Sequence, residues 1–325
     1  MIKSQANLDM LMLLTLADGQ GTGDENWSDW KESLVWQLYR STSLYLADGE
    51  AYYRQRTLER EELRKAVRKK LGAEYRDEVD AHFETMPDRY FQKGNAEDIA
   101  GHVRLFREFL ETRFGGDTNP LAPAFRWIPR PHQGHSEVWV CGWDRRELLA
   151  RIAGSFSSAG LNILGADVFT RGDSLVLDLF RVCTPRHEAV TDAKEMAQVE
   201  KRLSQVLEAE EFDFGPHLEK AFKRRSVHLA QELDFPTRIS VESTAHPTYT
   251  IIDIQTPDRL GLLYNLLRAL GHAGAQIALS RIATEKGAAI DTFYVTDAEG
   301  RKIKSAAAIG RLQNALFAAS QGNTP

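Results

Sequence analysis

The sequence predicts an α+β protein, with an N-terminal helical region followed by two ferredoxin-like βαββαβ repeats. The main observation is internal: residues 138–182 align with residues 252–295 at an offset of 114, which slips by one near Gly172 and Gly287. That period is too long for a solenoid or a propeller, so we infer two copies of one small domain. We assign residues 1–125 to the helical region, 136–245 to the first repeat and 248–325 to the second.

Apolar residues at helical spacing predict the N-terminal helices. Leu8, Leu11, Met12 and Leu16 share one face of a first helix, which the glycine-rich stretch from Asp18 is expected to end. A second helix is expected from about residue 28 and a charged third one over 57–71. Asn95 is a candidate N-cap for a further helix, and the glycines and prolines of 115–131 predict a linker into the first repeat.

Each repeat has the pattern strand, helix, strand, strand, helix. In the second repeat these elements are expected at 250–255, 260–272, 277–284, 289–296 and 309–317. In the first repeat the last helix is expected at 188–207, with 238–242 as a fourth strand. Helices should cover one face of the sheet. Because the second repeat lacks room for a last strand, the repeats should pack side by side or pair with a second chain.

The composition is that of an ordinary globular protein, with 42% hydrophobic residues and a net charge of −5 in 325 residues. This charge gives no general attraction to nucleic acid or to an anionic membrane. No apolar run is long enough to span a bilayer, and the N-terminus does not resemble a secretion signal. Cys141 and Cys183 are expected to be buried and reduced. We expect a cytoplasmic protein that binds neither nucleic acid nor membrane.

The turn between the first strand and first helix of the second repeat is the main candidate site. Gly261 permits close approach of a ligand, and the N–H groups of Gly261 and Leu262 at the helix start favour a carboxylate. Asp258 could accept from an ammonium group. The structural alternative is an N-cap aspartate beside a packing glycine. The candidate ligand-binding residues of this repeat are Asp258, Arg259, Gly261, Leu262, Gln276 and Ile277.

The first repeat departs from this pattern at the same turn. Glu147 stands where the second repeat has Gly261, and it adds bulk and negative charge where a ligand carboxylate would approach. The first repeat should therefore bind more weakly or not at all. Its weaker candidate residues are Asp144, Arg145, Asn162 and Ile163.

Other chemistries lack their motifs. The chain has no nucleophile elbow, no H-E-x-x-H, no C-x-x-C and no phosphate-binding P-loop. His132 and His135 have no cysteine partners for zinc. The aromatic third-strand signature of RNA-binding plaits is missing as well.

The turn D-R-x-G-L-L, the A-G-x-x-I segment and the D-x-F-x-V strand resemble the ACT domain, a regulatory amino-acid-binding module. Further motifs in the N-terminal third are similar to those of bifunctional PII uridylyltransferase/uridylyl-removing enzymes. They are Leu13 to Asp18, Trp27 to Lys31, His82-Phe83, Met86 to Phe91 and Ile99 to His102. The resemblance covers nearly the whole chain and identifies it as the C-terminal part of such an enzyme, from the end of the HD domain through two ACT domains.

The resemblance implies glutamine sensing in nitrogen signalling. Enzymes of this family attach UMP to the PII signal protein and remove it, and the ACT pair senses L-glutamine. This chain lacks the nucleotidyltransferase and His-Asp motifs, so the family's Mg²⁺ or Mn²⁺ is expected only with the missing N-terminal catalytic domains. Asp18 alone matches the metal-ligating set, as a remnant.

We therefore expect a glutamine-sensing regulatory region with no catalytic residue and no cofactor of its own. One alternative is a free-standing ACT-domain regulator that binds an amino acid and acts on a partner protein. Another is a residual metal phosphohydrolase centred on Asp18.

Overall fold

The computed structural model describes residues 2, 4–21, 29–92, 94–114, 122–145, 147–209, 212, 214–225, 236–285 and 287–322. The chain divides into two compact units. The first comprises Met1–Val79 with Asn95–Glu97, and the second comprises Asp80–Gly94 with Asp98–Pro325.

The first unit is helical, as predicted. It contains α1 (Gln5–Gly21), α2 (Asp29–Ala47) and α3 (Gly49–Leu71). Helix α1 continues through Asp18 and Gly19, so the predicted break there is wrong; most of the stretch up to residue 28 lies outside the described residues. Between α1 and α2, the Tyr39 hydroxyl donates to Asp9 Oδ1 at 2.8 Å and Ser43 donates to Gln5 at 2.9 Å.

Three further helices precede the sheet: α4 (Arg76–Thr85), α5 (Asp88–Phe91) and α6 (Ala96–Phe114). The predicted cap of α6 is confirmed, because the Asn95 side chain accepts from the Glu97 N–H at 2.9 Å.

The second unit is built on one antiparallel sheet of eight strands in the order β1-β2-β4-β3-β7-β8-β6-β5. The strands are β1 (Ala124–Arg130), β2 (His135–Trp143), β3 (Asn162–Thr170), β4 (Leu175–Cys183), β5 (Arg238–Glu242), β6 (Thr250–Pro257), β7 (Gln276–Glu285) and β8 (Ala288–Thr296).

Among the described residues, five helices belong to this sheet: α7 (Leu148–Ser158), α8 (Ala193–Glu208), α9 (Gly215–Arg225), α10 (Leu262–His272) and α11 (Ala306–Ser320). Buried apolar residues of α7, α8, α10 and α11 form one continuous core with alternate residues of the strands, such as Val138, Phe180 and Phe293. Helix α8 begins five residues later than predicted, where Asp192 caps it by accepting from the Lys194 N–H.

The outer strand of each repeat differs from the one predicted. Strand β5 pairs with β6 of the second repeat, so it is not the fourth strand of the first. The matching position beside β2 is held by β1, which lies in the segment predicted to be a linker. Each repeat therefore takes its outer strand from the chain preceding its first strand. Pro129 is tolerated in β1 because that strand lies at the sheet edge.

The two repeats join side by side within one chain, as predicted. Strands β3 and β7 pair antiparallel, with Gly165 opposite Ala283, Ala166 opposite Ile282 and Asp167 opposite Arg281. This junction makes one sheet from two sets of four strands.

The first repeat is covered on its second face as well, which the sequence did not predict. Trp139 projects away from the helical core and packs against α6, where a Cβ on Gly101 would lie 2.7 Å from its ring. The ring centroids of His102 and Trp139 lie 4.3 Å apart, and those of Tyr90 and Phe169 lie 5.2 Å apart. Both cysteines are buried and free, as expected.

Candidate functional site

The turn before α10 is held by its own backbone. Gly261 begins the helix with a left-handed φ of +77°, which glycine adopts without strain. The Leu262 N–H donates to Arg259 O at 3.0 Å, and the Asp258 N–H donates to Gly287 O at 2.7 Å. The Leu262 N–H that we assigned to a ligand carboxylate is thus engaged within the turn.

The turn before α7 has the same conformation without the glycine. Glu147 begins that helix with a φ of +61°, the Leu148 N–H donates to Arg145 O at 3.2 Å, and the Asp144 N–H donates to Ser174 O at 2.8 Å. The fold therefore imposes a left-handed residue at both turns, and in the first repeat a glutamate adopts it at a cost in strain.

A cavity of about 540 Å³ opens between the two repeats, and we call it the inter-repeat cavity. It lies beside the start of α7 and is bounded across the junction by the end of α10 and the start of β7. Its polar lining includes Asp144, Arg145, Glu147, Thr170, Asp178 and Gln276. Burial raises the pKa of Asp144 and lowers the pKa of Arg145 from their ordinary values. The cavity thus offers acidic, basic and amide groups within one concave surface.

The structure groups the predicted residues across the repeats rather than within them. Gln276 and Ile277 of the second repeat line the inter-repeat cavity with Asp144 and Arg145 of the first. Asp258 instead lies 3.1 Å from the hydroxyl of Thr284, which is 3.4 Å from the carbonyl oxygen of Ile163. Asn162 is buried at the start of β3, opposite Cys183.

Arg259 has a structural partner. Its guanidinium donates to Ser320 O at 3.2 Å and to Ala319 O at 2.6 Å, so it caps the C-terminal end of α11. A cation at that position also complements the negative end of the helix dipole. Arg145, its counterpart in the first repeat, lines the inter-repeat cavity.

Each repeat buries one carboxyl group beneath its turn. Asp178 is 1% exposed and Asp291 is 2% exposed. Burial, and then the charge of Asp144, raise the pKa of Asp178 to about 8, although a hydrogen bond from the Phe169 N–H and the charge of Arg89 act to lower it. Burial raises the pKa of Asp291 to about 8, and the charge of Asp258 acts in the same direction. The sequence contained a signal for these groups, namely an aspartate within each apolar D-x-F-x-V strand, but it did not identify them as site residues.

A backbone N–H group acts on each buried carboxyl group, that of Phe169 on Asp178 and that of Ala283 on Asp291, but the two groups differ at Oδ1. Asp291 Oδ1 accepts from the Ala283 N–H at 3.3 Å. Asp178 Oδ1 is buried and has no hydrogen-bond partner within the described part of the chain, and Asp178 lines the inter-repeat cavity. A buried polar atom without a partner costs free energy, which a ligand donor can recover.

The histidine and tyrosine motifs of the N-terminal third form a buried hydrogen-bond chain in the second unit. The Tyr90 hydroxyl lies 3.0 Å from His82 Nε2 and 2.7 Å from His102 Nδ1. Burial lowers the pKa of His82 well below its usual value and, with a smaller effect of Arg126, the pKa of His102 to about 3. Both histidines are therefore neutral, and the chain is a polar part of the core against the sheet.

A larger hollow of about 900 Å³ lies between α10 and α11. Several of its basic groups have protein partners: Arg301 contacts Asp297 and Glu299, and Lys302 donates to His246 O. The inter-repeat cavity is the better candidate site, because the predicted residues Asp144, Arg145, Gln276 and Ile277 line it together.

Asp18 lies exposed on α1. The described residues contain no group of three or more His, Cys, Asp or Glu side chains that could hold a metal ion. Asp18 thus has no partners for a metal site among the described residues. No helix in the described ranges is both long and apolar enough to cross a membrane.

Comparison with known proteins identifies one domain, and relatives that match nearly the whole of this chain. The profile of the ACR9-like, ACT-like domain matches residues 238–319, which begin with β5. Bifunctional uridylyltransferase/uridylyl-removing enzymes match the chain in Rhodospirillum rubrum (32% identity, 100% of this chain), Azospirillum brasilense (29%, 98%) and Pseudomonas putida (27%, 97%).

The chain spans only about a third of the length of these relatives, with shares of 34%, 33% and 34%. The family resemblance predicted from the sequence is confirmed. This chain is related over its whole length to about one third of a bifunctional uridylyltransferase/uridylyl-removing enzyme, and it carries an ACT-like domain at its C-terminal end.

Proposed function

We propose that this chain is the glutamine-sensing regulatory region of a cytoplasmic uridylyltransferase/uridylyl-removing enzyme that modifies the PII signal protein. The catalytic steps, with any Mg²⁺ or Mn²⁺, belong to domains outside this chain. The observation that carries the proposal is the inter-repeat cavity, because a sensor of a zwitterionic amino acid needs acceptors for an ammonium group and donors for a carboxylate in one place.

The chemistry of the lining supports glutamine as the ligand. Arg145 is a donor for the α-carboxylate, and Asp144 is an acceptor for the α-ammonium group. Gln276 donates to Ala298 O at 3.2 Å, and its amide can exchange that bond for one to the glutamine side-chain amide. The cavity of about 540 Å³ has room for one amino acid and accompanying water.

Calorimetric titration of the chain with L-glutamine tests this function. Arg145→Gln should weaken binding about tenfold or more, since a charge-assisted hydrogen bond contributes roughly 1.5–3 kcal/mol. Arg311→Gln is the matched control, because Arg311 is exposed and lines the larger hollow. Equal losses in both variants, or no binding to the wild type, would contradict the proposal.

The turn of the second repeat is the other placement for the ligand, with Asp258 as acceptor for its ammonium group. Asp144→Asn and Asp258→Asn distinguish the two placements. We expect the larger loss of affinity from Asp144→Asn, because Asp258 already has the Thr284 hydroxyl as a partner. A larger loss from Asp258→Asn would move the site to Gly261 and its neighbours.

A further inference from the structure

The two repeats carry the same polar groups but leave them in different states. In the second repeat, Thr284 contacts Asp258, Arg259 caps α11 and the Ala283 N–H donates to Asp291. In the first repeat, the counterpart Thr170 is exposed at the inter-repeat cavity, and no hydrogen bond among described residues joins it to Asp144. Groups that contact one another in the second repeat are therefore available to a ligand in the first repeat.

Asp178 is the group for which this difference matters most. It is almost fully buried and lines the cavity together with Asp144 and Arg145. The Phe169 N–H and the charge of Arg89 act on its carboxyl group, but its Oδ1 atom has no hydrogen-bond partner among the described residues. In the second repeat, α11 and Thr284 engage the corresponding turn, and Asp291 has its own donor.

We infer that the chain binds one amino-acid ligand, in the inter-repeat cavity, and that Asp178 Oδ1 accepts a hydrogen bond from the ligand's α-ammonium group. This inference rests on the proposed function and adds the stoichiometry and the residue that selects for an amino group. A cation reaching Oδ1 stabilises the carboxylate form, which burial alone disfavours. Asp144, nearer the mouth, supplies a second acceptor for the same group.

Selection for the ammonium group follows from the unpartnered oxygen. A ligand without that group leaves Oδ1 buried and without a donor, so it forfeits a charge-assisted hydrogen bond. Glutaramic acid, which is glutamine without its α-amino group, is the matched probe. It should bind the wild type about tenfold or more weakly than glutamine does.

The experiment compares glutamine and glutaramic acid on the wild type, Asp178→Asn and Asp291→Asn by calorimetry. The wild type should bind one glutamine per chain. Asp178→Asn should lose about tenfold or more in glutamine affinity and little for glutaramic acid, so that the preference nearly disappears. Asp291→Asn should keep the preference, since Asp291 has its own backbone donor.

Carbon-13 NMR of the aspartate carboxyl groups in the wild type provides a second measurement, independent of how the variants fold. The Asp178 resonance should shift on saturation with glutamine but not with glutaramic acid, and the Asp291 resonance should shift with neither. Two glutamines per chain, an unchanged preference in Asp178→Asn or a shift at Asp291 instead would overturn the inference while leaving glutamine sensing intact. No glutamine binding by the wild type would defeat both.

Discussion

Glu147 has a left-handed backbone conformation, which L-residues rarely adopt. It occupies the left-handed position that Gly261 occupies in the second repeat, with φ values of +61° and +77°. An L-residue in this conformation costs about 1–2 kcal/mol of strain. Replacing it by glycine removes that strain, but glycine makes the unfolded chain more flexible, which offsets part of the gain in stability.

Glu147→Gly should therefore raise the free energy of unfolding by about 0.5–1 kcal/mol, and Gly261→Ala should lower it by a similar amount. Urea unfolding followed by circular dichroism measures both changes. A Cβ on Gly261 would meet only Leu218, at 3.6 Å, so the second change reports backbone strain rather than a clash. A loss of stability in Glu147→Gly would contradict this account.

The buried carboxyl groups predict a loss of stability at alkaline pH. The folded-state pKa values of Asp178 and Asp291 are about 8, above the unfolded value of about 3.9. Folding therefore favours their protonated forms, and this contribution is complete below about pH 4 and is lost as the pH rises through about 8.

Between pH 7 and pH 9 the free energy of unfolding should fall by about 1 kcal/mol for each carboxyl group. Urea unfolding at these two pH values measures the change, and Asp178→Asn with Asp291→Asn should flatten it. The low folded-state pKa of His102 acts in the opposite sense only below about pH 6.5, outside this window. An unchanged slope in the double variant would contradict the assignment.

At the scale of elements, the β3–β7 junction forms the inter-repeat cavity, and Gly165 permits the close approach of the strands. A Cβ there would lie 3.0 Å from the Ile282 carbonyl oxygen and closer still to the Arg181 guanidinium. We expect Gly165→Val to separate the two strands and to abolish glutamine binding without touching the ligand.

Hydrogen exchange at the amides of residues 165–167 and 281–282, which pair across the junction, reports this separation, and calorimetry reports the loss of binding. Gly310→Ala is the control: nothing lies within 4 Å of the added methyl group in α11. It should stabilise the chain by about 0.5–1 kcal/mol and leave binding unchanged. Normal protection of the junction in Gly165→Val would show that the strands adapt.

Helix α1 exposes an unusual apolar surface. Met10, Leu11, Leu13 and Leu14 are 64%, 48%, 68% and 62% exposed, whereas Leu8 and Met12 are buried. Exposed apolar patches favour association.

The double variant Leu13→Gln with Leu14→Gln should reduce self-association, measured by light scattering, with little loss of stability. Leu8→Gln should instead lower the free energy of unfolding by about 2 kcal/mol or more, because Leu8 is buried. Unchanged association in the double variant would exclude this surface as its cause.

At the scale of the whole molecule, we expect this chain alone to release no UMP from uridylylated PII. Asp18 is exposed, and the described residues offer no metal-binding group around it. Incubation with manganese and uridylylated PII, followed by detection of UMP, tests this prediction. Enzyme-like release that Asp18→Ala abolishes would revive the residual phosphohydrolase interpretation.

The sequence by itself determined the features that depend on local patterns. The repeat, the helical N-terminal region, most strands and helices and the Asn95 cap follow from periodicity and from the conformations that individual residues allow. The family resemblance rests on the same short motifs. Apart from the repeat, which comparing two stretches of the sequence reveals, these signals lie within a few residues of one another, so no long-range contact was needed to recognise them.

Only the tertiary structure decided which segments meet. Strand β5 is a strand in either repeat, and its pairing with β6 depends on contacts that its own sequence does not encode. The same holds for the site: Gln276 joins Asp144 rather than Asp258, because antiparallel pairing of β3 and β7 brings the start of one repeat's strand to the other repeat's turn. Packing between distant elements likewise determines that Arg145 lines a cavity whereas Arg259 caps α11. Local sequence patterns contain no information about such packing.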